Sequence, residues 1–416
     1  MRQRWNRITM LEACDLITCG VAARPKYVDE GIPFLSAKNV KKGQIIYEGY
    51  NCITKENHEE LTKKNKPLVG DILYTRVGSY GEAAVIEEVI EFSVFVSLTL
   101  IKPKKELLNS YFLKYYLNSN EIKTLAKNSI TSSGVGNLNV GTVRKFPVPI
   151  PPLPEQQRIV SILDKAFAAI DQAKANAEQN LQNAKALFES YLQGMFESKG
   201  DGWEEKLLEN CFKLKSGDNL TAKQMLKGDF PVFGGNGIAG YHNKFNLSGS
   251  NVIVGRVGAL CGNVRHINES IWLTDNAFKV VNYKYDFDHS FLTFLLNHKD
   301  LRSYARQAAQ PVISNSSLKG VVLNFPKSIK EQRTIVRQLD ALRAETQKME
   351  VLYQKKMDDL DELKKSILQK AFAGELNMSE LGFDGLKDDR ILEKDKTEIL
   401  QSSNPKNHNP DKRIKG

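Results

Sequence analysis

Two stretches of this chain, PLPEQQRIVSILDKAFAAID from Pro152 and SIKEQRTIVRQLDALRAETQ from Ser328, share one pattern at a constant offset of 176 residues. Glu155, Gln156, Ile159, Val160, Leu163 and Asp164 fall on Glu331, Gln332, Ile335, Val336, Leu339 and Asp340. An internal repeat decides the architecture before any local motif can, because one folding unit is being used again. A chain of 416 residues is too long for one ordinary core, and the repeat divides it in two.

Each repeated stretch opens a long helix. The run from Glu155 to about residue 198 has no internal proline and no glycine before Gly194, and the PIPPLP ahead of it ends in a proline suited to a helix start. The second run goes from Lys330 to about Ala373 and stops at Gly374. In it Ile335, Leu339, Leu342, Thr346, Met349, Tyr353, Lys356, Leu360, Leu363, Ile367 and Lys370 alternate four and three apart, a coiled-coil seam. The first run keeps this rhythm from Leu163 to Met195 but takes two successive steps of four around Ala177, a stutter that locally unwinds a supercoil. Roughly 44 residues at about 1.5 Å each make about 65 Å of helix. Few single domains offer so long a groove, so the two helices are expected to pair with each other.

The segments ahead of the helices match unevenly. LEACDLITCG from Leu11 aligns with LENCFKLKSG from Leu208 at offset 197, whereas RVG at Arg76 meets RVG at Arg256 at offset 180. The frame of each half is shared and its middle differs in length. Runs such as DILYTRV, FVSLTLI, NVIVGRV and NAFKVV read as strands, and SYFLKYYLNS and SFLTFLLNHK as short buried helices. The expected fold class is α+β in two pseudo-repeated domains, residues 1–153 and 200–328, each followed by a long helix, residues 154–199 and 329–375. Residues 376–416, polar and without periodicity, read as a disordered tail.

Charge is distributed by domain. Residues 1–150 carry 21 basic and 15 acidic side chains and residues 201–328 carry 15 and 11, while the remaining segments cancel, so the whole excess of +10 lies in the two domains. Two basic modules suit a polyanion, although a mild surface excess with no partner is as common. No apolar run approaches the roughly 18 residues of a membrane span, and the first ten residues lack a signal-peptide core, so a cytoplasmic location with no membrane partner is expected. Five cysteines without a CxxC pair, and histidines without HExxH, support neither a disulfide framework nor a metal site.

Two unlike globules, each leading into a helix headed EQQRIV or EQRTIV, resemble the specificity subunit of type I restriction-modification systems over about residues 1–376. FPVPIPPLPEQQRIVSILD is the strongest motif, and FPVFGGNGIAGYHNK with VIVGRVGALCGNV resembles a second target recognition domain; the junction FPKSIKEQRT departs from the pattern in lacking a proline-rich run. The resemblance implies a phage-defence subunit that reads double-stranded DNA without catalysis of its own. Each domain would read half of an asymmetric bipartite site, and the helices, as an antiparallel coiled coil, would space the halves. The helices would also dock two methyltransferase subunits, with restriction subunits joining; S-adenosylmethionine, ATP and Mg2+ belong on those partners, and no cofactor or metal on this chain. The docking and spacer residues would be Glu155, Gln156, Ile159, Leu163, Glu331, Gln332, Ile335 and Leu339. A coiled-coil scaffold, or the recognition subunit of a related bifunctional restriction enzyme, is the alternative.

Candidate DNA contacts follow from loop chemistry. RVGSYG and GRVGALCG each place an arginine and glycines directly after a strand, where backbone can approach a duplex and Arg76 or Arg256 can reach phosphate or guanine edges, with Ser79 and Tyr80 beside them. A glycine turn after a strand is also ordinary structure, and both readings stand. The loops SAKN and GGNGIAGYHNK supply Lys38, Asn39, Asn236, Tyr241, His242 and Lys244. SSGVGNLNVGT lacks GxxxxGK[ST], and no methyltransferase or nuclease motif is visible, so no catalytic residue is assigned.

Overall fold

The computed structural model describes residues 5–21, 25–78, 80–130, 136–197, 200, 202–306 and 310–376. The chain divides into two compact units, residues 1–176 with 356–416 and residues 177–355. The expected tail, residues 376–416, lies outside the described residues but for Leu376.

In the first unit, Arg7–Thr9 pairs antiparallel with Pro147–Pro149 and closes the domain at its entry to the long helix. Behind this clasp lies a four-stranded antiparallel sheet in the order Cys14–Cys19, Leu98–Pro103, Ile72–Thr75, Ala83–Val85. Ile72, Leu73 and Tyr74 are buried in succession, as befits a central strand covered on both faces. Helix Ser110–Leu117 packs on this sheet, its first turn capped by Asn109, whose side chain accepts from the amides of Tyr111 and Phe112.

The second unit repeats this frame. Trp203–Leu207 pairs with Val322–Pro326, and a second sheet has the order Lys213–Ser216, Ala277–Val281, Asn251–Gly255, Val264–Ile267. Helix His289–His298 stands where Ser110–Leu117 stands in the first unit, capped by Asp288 in the same manner.

What differs lies mostly between the first strand and the central strand of the frame, and one strand of each added sheet, Ser93–Val94 or Trp272–Leu273, comes later, just before Leu98–Pro103 or Ala277–Val281. The first domain carries strands Ser93–Val94, Ile32–Leu35, Asn51–Ile53 and Tyr27–Val28, a short hairpin of Val40–Lys41 with Gln44–Ile45, and helix Lys55–Thr62. The second carries three strands in the order Gly237–His242, Phe230–Gly234, Trp272–Leu273. The extra helix and hairpin account for the fall in offset from 197 to 180 between the flanking landmarks.

The long helices run Leu153–Glu197 and Ile329–Phe372. Within the first unit, the core of the domain takes in Ile159, Leu163, Ala166 and Ile170 from the head of the first helix and Leu360, Ile367, Leu368, Ala371 and Phe372 from the tail of the second. Within the second unit, the core takes in Ile335 and Leu339 from the head of the second helix and Leu192 and Phe196 from the tail of the first. The helices run antiparallel where they meet: Lys174 bonds Asp361 and Asp171 bonds Lys364, so one index falls by three as the other rises by three.

The buried stripe of the second helix corrects the expected seam. Tyr353, Met357, Leu360, Ile367 and Ala371 are buried, whereas Lys356, Leu363 and Lys370 are exposed. Two successive steps of four, Met349 to Tyr353 to Met357, invert the order of fours and threes beyond Tyr353, while Leu360 and Ile367 stay on the stripe. Lys364 then falls on the stripe, its ammonium standing over the Phe167 ring, 4.7 Å from the ring centre, and donating to Asp171.

Candidate nucleic-acid interface

The loops that follow the central strands are duplicated in detail. The Arg76 amide donates to the Ser97 carbonyl and its own carbonyl accepts from Leu138; the Arg256 amide donates to Asn276 and its carbonyl accepts from Ile313. Bridges Val77 to Asn137 and Val257 to Val312 complete the match. The side chains then diverge. Arg76, 8% exposed, turns inward and donates to the carbonyls of Leu138 and Val96 at 2.9 and 3.1 Å and to Asn137 Oδ1 at 3.0 Å. Arg256 is half-buried, donating to Asp275 O at 3.1 Å and Ser216 Oγ at 3.3 Å with its guanidinium 5.4 Å from the Phe278 ring centre.

The remaining loop candidates divide between braces and exposed groups. Asn39 is buried; its amide donates to Ile46 O and Glu48 O, both at 3.0 Å, and its Oδ1 accepts from the Ser36 amide, which fixes the turn on which exposed Lys38 stands. His242 is buried, with Nδ1 accepting from the Leu226 amide at 3.0 Å and its ring edge-on to Trp272. Asn236 is exposed but accepts from the Leu260 amide at 2.9 Å, tying GGNG to the GRVGALCG loop. A Cβ on Gly235 would stand 1.9 Å from the Val257 carbonyl oxygen, so only glycine allows these loops to interlock. Tyr80 is half-buried against Gly136, and Ser79 lies outside the described residues.

Tyr241 and Lys244 are exposed at the end of the Phe230–His242 hairpin. Also exposed are Ile238 near the turn of the hairpin, Phe245 beyond its open end and Leu226, whose amide bonds His242, at 53, 48 and 57%, together with Lys223 and Lys227. The pairing slips between Val232 and Phe233, so the hairpin bulges opposite them, which turns both Ile238 and Tyr241 outward. Loop chemistry alone pointed to the polar residues here and passed over the apolar ones. The signal that would have found them is their density in a segment with no helix or strand period to bury them. Exposed rings and aliphatic groups among lysines offer stacking or wedging surface beside phosphate-binding charge.

The motif at the head of each long helix is directed into its own domain. Gln156 is fully buried: its Nε2 donates to Leu107 O at 2.9 Å and Pro151 O at 2.8 Å, and its Oε1 accepts from the Asn109 amide at 2.8 Å. Gln332 repeats every contact, donating to Asp286 O and Pro326 O and accepting from the Asp288 amide. Ile159, Leu163, Ile335 and Leu339 are buried below these clamps. Glu155 and Glu331 are left with partners near the surface. Arg158 donates to Glu155 and holds its carboxyl below the ordinary range, and Trp203 Nε1 donates to Glu331 at 3.0 Å.

Two of the buried thiols are poor nucleophiles: burial pushes Cys14 up to about 12 and Cys211 up to about 11. His289 is lowered by burial and by neighbouring His266, and sits with it around Ser250 Oγ at 2.7 and 2.8 Å. Among the described residues no three histidine, cysteine or acidic side chains gather in metal-holding geometry.

The inward and outward side chains should separate experimentally. Arg76→Ala removes a charged group's hydrogen bonds to buried carbonyls and should cost about 2 to 3 kcal/mol of unfolding free energy. Lys244→Ala and Lys38→Ala should change it by no more than about 0.5 kcal/mol while weakening DNA binding. Urea unfolding beside a binding titration checks both; equal stability losses would refute the division.

Two basic domains on one frame, differing in an inserted sheet and joined to long helices by one buried clamp, define a duplicated recognition protein. The chain matches the type I restriction modification DNA specificity domain over residues 11–182 and 200–354, and it belongs to that family. It is 29% identical over 260 residues to the type I restriction enzyme EcoprrI specificity subunit of Escherichia coli, covering 59% of this chain and 64% of that protein. It is 23% identical over 405 residues to the StySPI specificity subunit of Salmonella potsdam, covering 84% and 83%. The match to EcoprrI thus spans under two-thirds of that relative's length, and the match to the EcoBI specificity subunit of Escherichia coli spans 43%. Among solved structures, a chain described under the assembly and conformational transition of the type I R-M system superposes with a TM-score of 0.73 at 16% identity, over 90% of this chain and 99% of that one. The HsdS subunit from Thermoanaerobacter tengcongensis superposes with a TM-score of 0.60, also at 16% identity, over 90% and 98%.

Proposed function

We propose that this chain is the DNA-reading subunit of a type I restriction-modification complex in the cytoplasm. Each domain reads one half of an asymmetric bipartite sequence, and the paired long helices set the distance between halves. The carrying observation is the duplication itself: one sheet frame and one glutamine clamp used twice, with unlike inserted sheets. A shared frame standardises how a reader meets its helix, and the unlike insertions let the two readers bind different sequences. The exposed face of the Phe230–His242 hairpin, with Tyr241 and Lys244, is the reading surface of the second domain; Lys38 marks the corresponding loop of the first.

Chemistry is assigned to partners. Two methyltransferase subunits would dock along the helices near Glu155 and Glu331 and hold S-adenosylmethionine, with restriction subunits supplying ATP- and Mg2+-dependent cleavage. This chain contributes position and sequence choice. Among its described residues no helix is long and apolar enough to cross a membrane.

Lengthening the spacer tests the reading. Inserting four residues near Ala177, about one helical turn, adds about 6 Å. Methylated sites should keep both half-sequences and gain roughly one or two base pairs of gap at about 3.4 Å each. An insertion variant that modifies only the original spacing would show that these helices do not position the readers.

A further inference from the structure

The facing surfaces of the two long helices differ in a way the 176-residue repeat makes visible. In the first unit, Lys174 of the first helix donates to both carboxylate oxygens of Asp361 on the second at 2.7 Å. Lys364 of the second helix lies 4.7 Å from the ring centre of Phe167 on the first. In the second unit it is the second helix again that supplies the cation, Arg343, 4.9 Å from the ring centre of Phe188 on the first. By the repeat, Phe167 corresponds to Arg343 and Phe188 to Lys364. The same two pseudo-equivalent positions are therefore aromatic on one helix and cationic on the other.

Of the two ion pairs between the helices here, Lys174 with Asp361 follows the same rule, whereas Asp171, which bonds Lys364, corresponds to uncharged Gln347. Lys174 and Lys185 of the first helix correspond to Glu350 and Asp361 of the second. One helix is basic at both positions and the other acidic at both. The aromatic contacts keep one antiparallel register in both units, and by that register positions 185 and 350 stand opposite each other, while the bonded pair is Lys174 with Asp361.

We propose that these four positions form a recognition code through which the first long helix accepts the second and neither accepts a second copy of itself. In the same register, first against first would set Lys174 against Lys185 of the copy. Second against second would set Glu350 against Asp361 and Arg343 against Lys364. The apolar stripe cannot discriminate in this way, since it is apolar on both helices. Single exposed ion pairs are weak. Selection comes from the difference between attraction in the mixed pair and repulsion in the like pairs, each of which meets twice.

Charge-neutral exchanges in the full-length chain test the code. K174E/E350K leaves net charge unchanged but makes both mixed contacts repulsive and both like contacts attractive. K174E/K185E/E350K/D361K carries twice as many substitutions yet restores complementarity in the mixed pair. At low salt the exchange variant should melt about 2 to 4 °C below wild type and sediment with more self-association, while the full reversal should return toward wild type in both. The differences should shrink at about 0.5 M salt as the pairs are screened. A full reversal that melts no higher than the exchange variant, or an exchange variant that self-associates no more than wild type, would overturn the proposal.

Discussion

Replacing Gln156 with leucine is expected to lower the stability of the first domain by about 3 to 5 kcal/mol, because three buried backbone groups lose their partner at roughly 1 to 3 kcal/mol each, partly offset by relaxation. The groups are the carbonyls of Leu107 and Pro151 and the amide of Asn109. Gln332→Leu should do the same in the second domain through Asp286, Pro326 and Asp288. Exposed Gln157 is the control, and Gln157→Leu should change stability by less than about 0.5 kcal/mol. Hydrogen exchange at the Asn109 amide gives a local readout: protected in the wild type, it should exchange rapidly in the Gln156 variant. Unchanged protection would show that the clamp is not what fixes the helix to the domain.

Phe372→Ala should be of similar size. Phe372 is 5% exposed and meets Phe112 and Tyr116 edge-on at 5.3 and 5.1 Å between ring centres. Removing a ring from such a site costs about 3 to 5 kcal/mol through lost transfer energy and the cavity left behind. Its counterpart Phe196, tilted on Phe291 at 5.7 Å and stacked on His298 at 5.2 Å, should respond alike. The pair matters because each domain is completed by the tail of the helix that follows the other one. A loss below about 1 kcal/mol in both variants, measured by urea unfolding, would contradict that reading of the cores.

The sequence displayed the duplication and the helices because both are long-range regularities: an offset held over many residues, and a period repeated over a dozen turns. Heptad phase was less legible. Beyond Tyr353, Lys356, Leu363 and Lys370 on one phase compete with Met357, Lys364 and Ala371 on the other, and letters alone do not tell which lysine lies on a ring. Side-chain direction in loops was least legible. Arg76 and Arg256 share a motif and a backbone geometry, yet one points into the domain and the other is only half-buried. The difference lies in what the preceding-junction loop offers, an Asn137 amide oxygen in one half and Val312 in the other, residues 61 and 56 positions away. The buried duty of Gln156 was hidden for the same reason, since two of its three partners are backbone groups 47 and 49 residues back.

Mapping methylated adenines across the genome of cells with this gene, without it, and with residues 203–325 exchanged for another recognition domain tests the DNA-reading role most directly. One motif made of two half-sequences around an unread gap should vanish with the gene, and the exchange should replace one half-sequence while keeping the other half and the gap. Loss of no motif, loss of a continuous one, or an exchange that altered both halves would contradict the account.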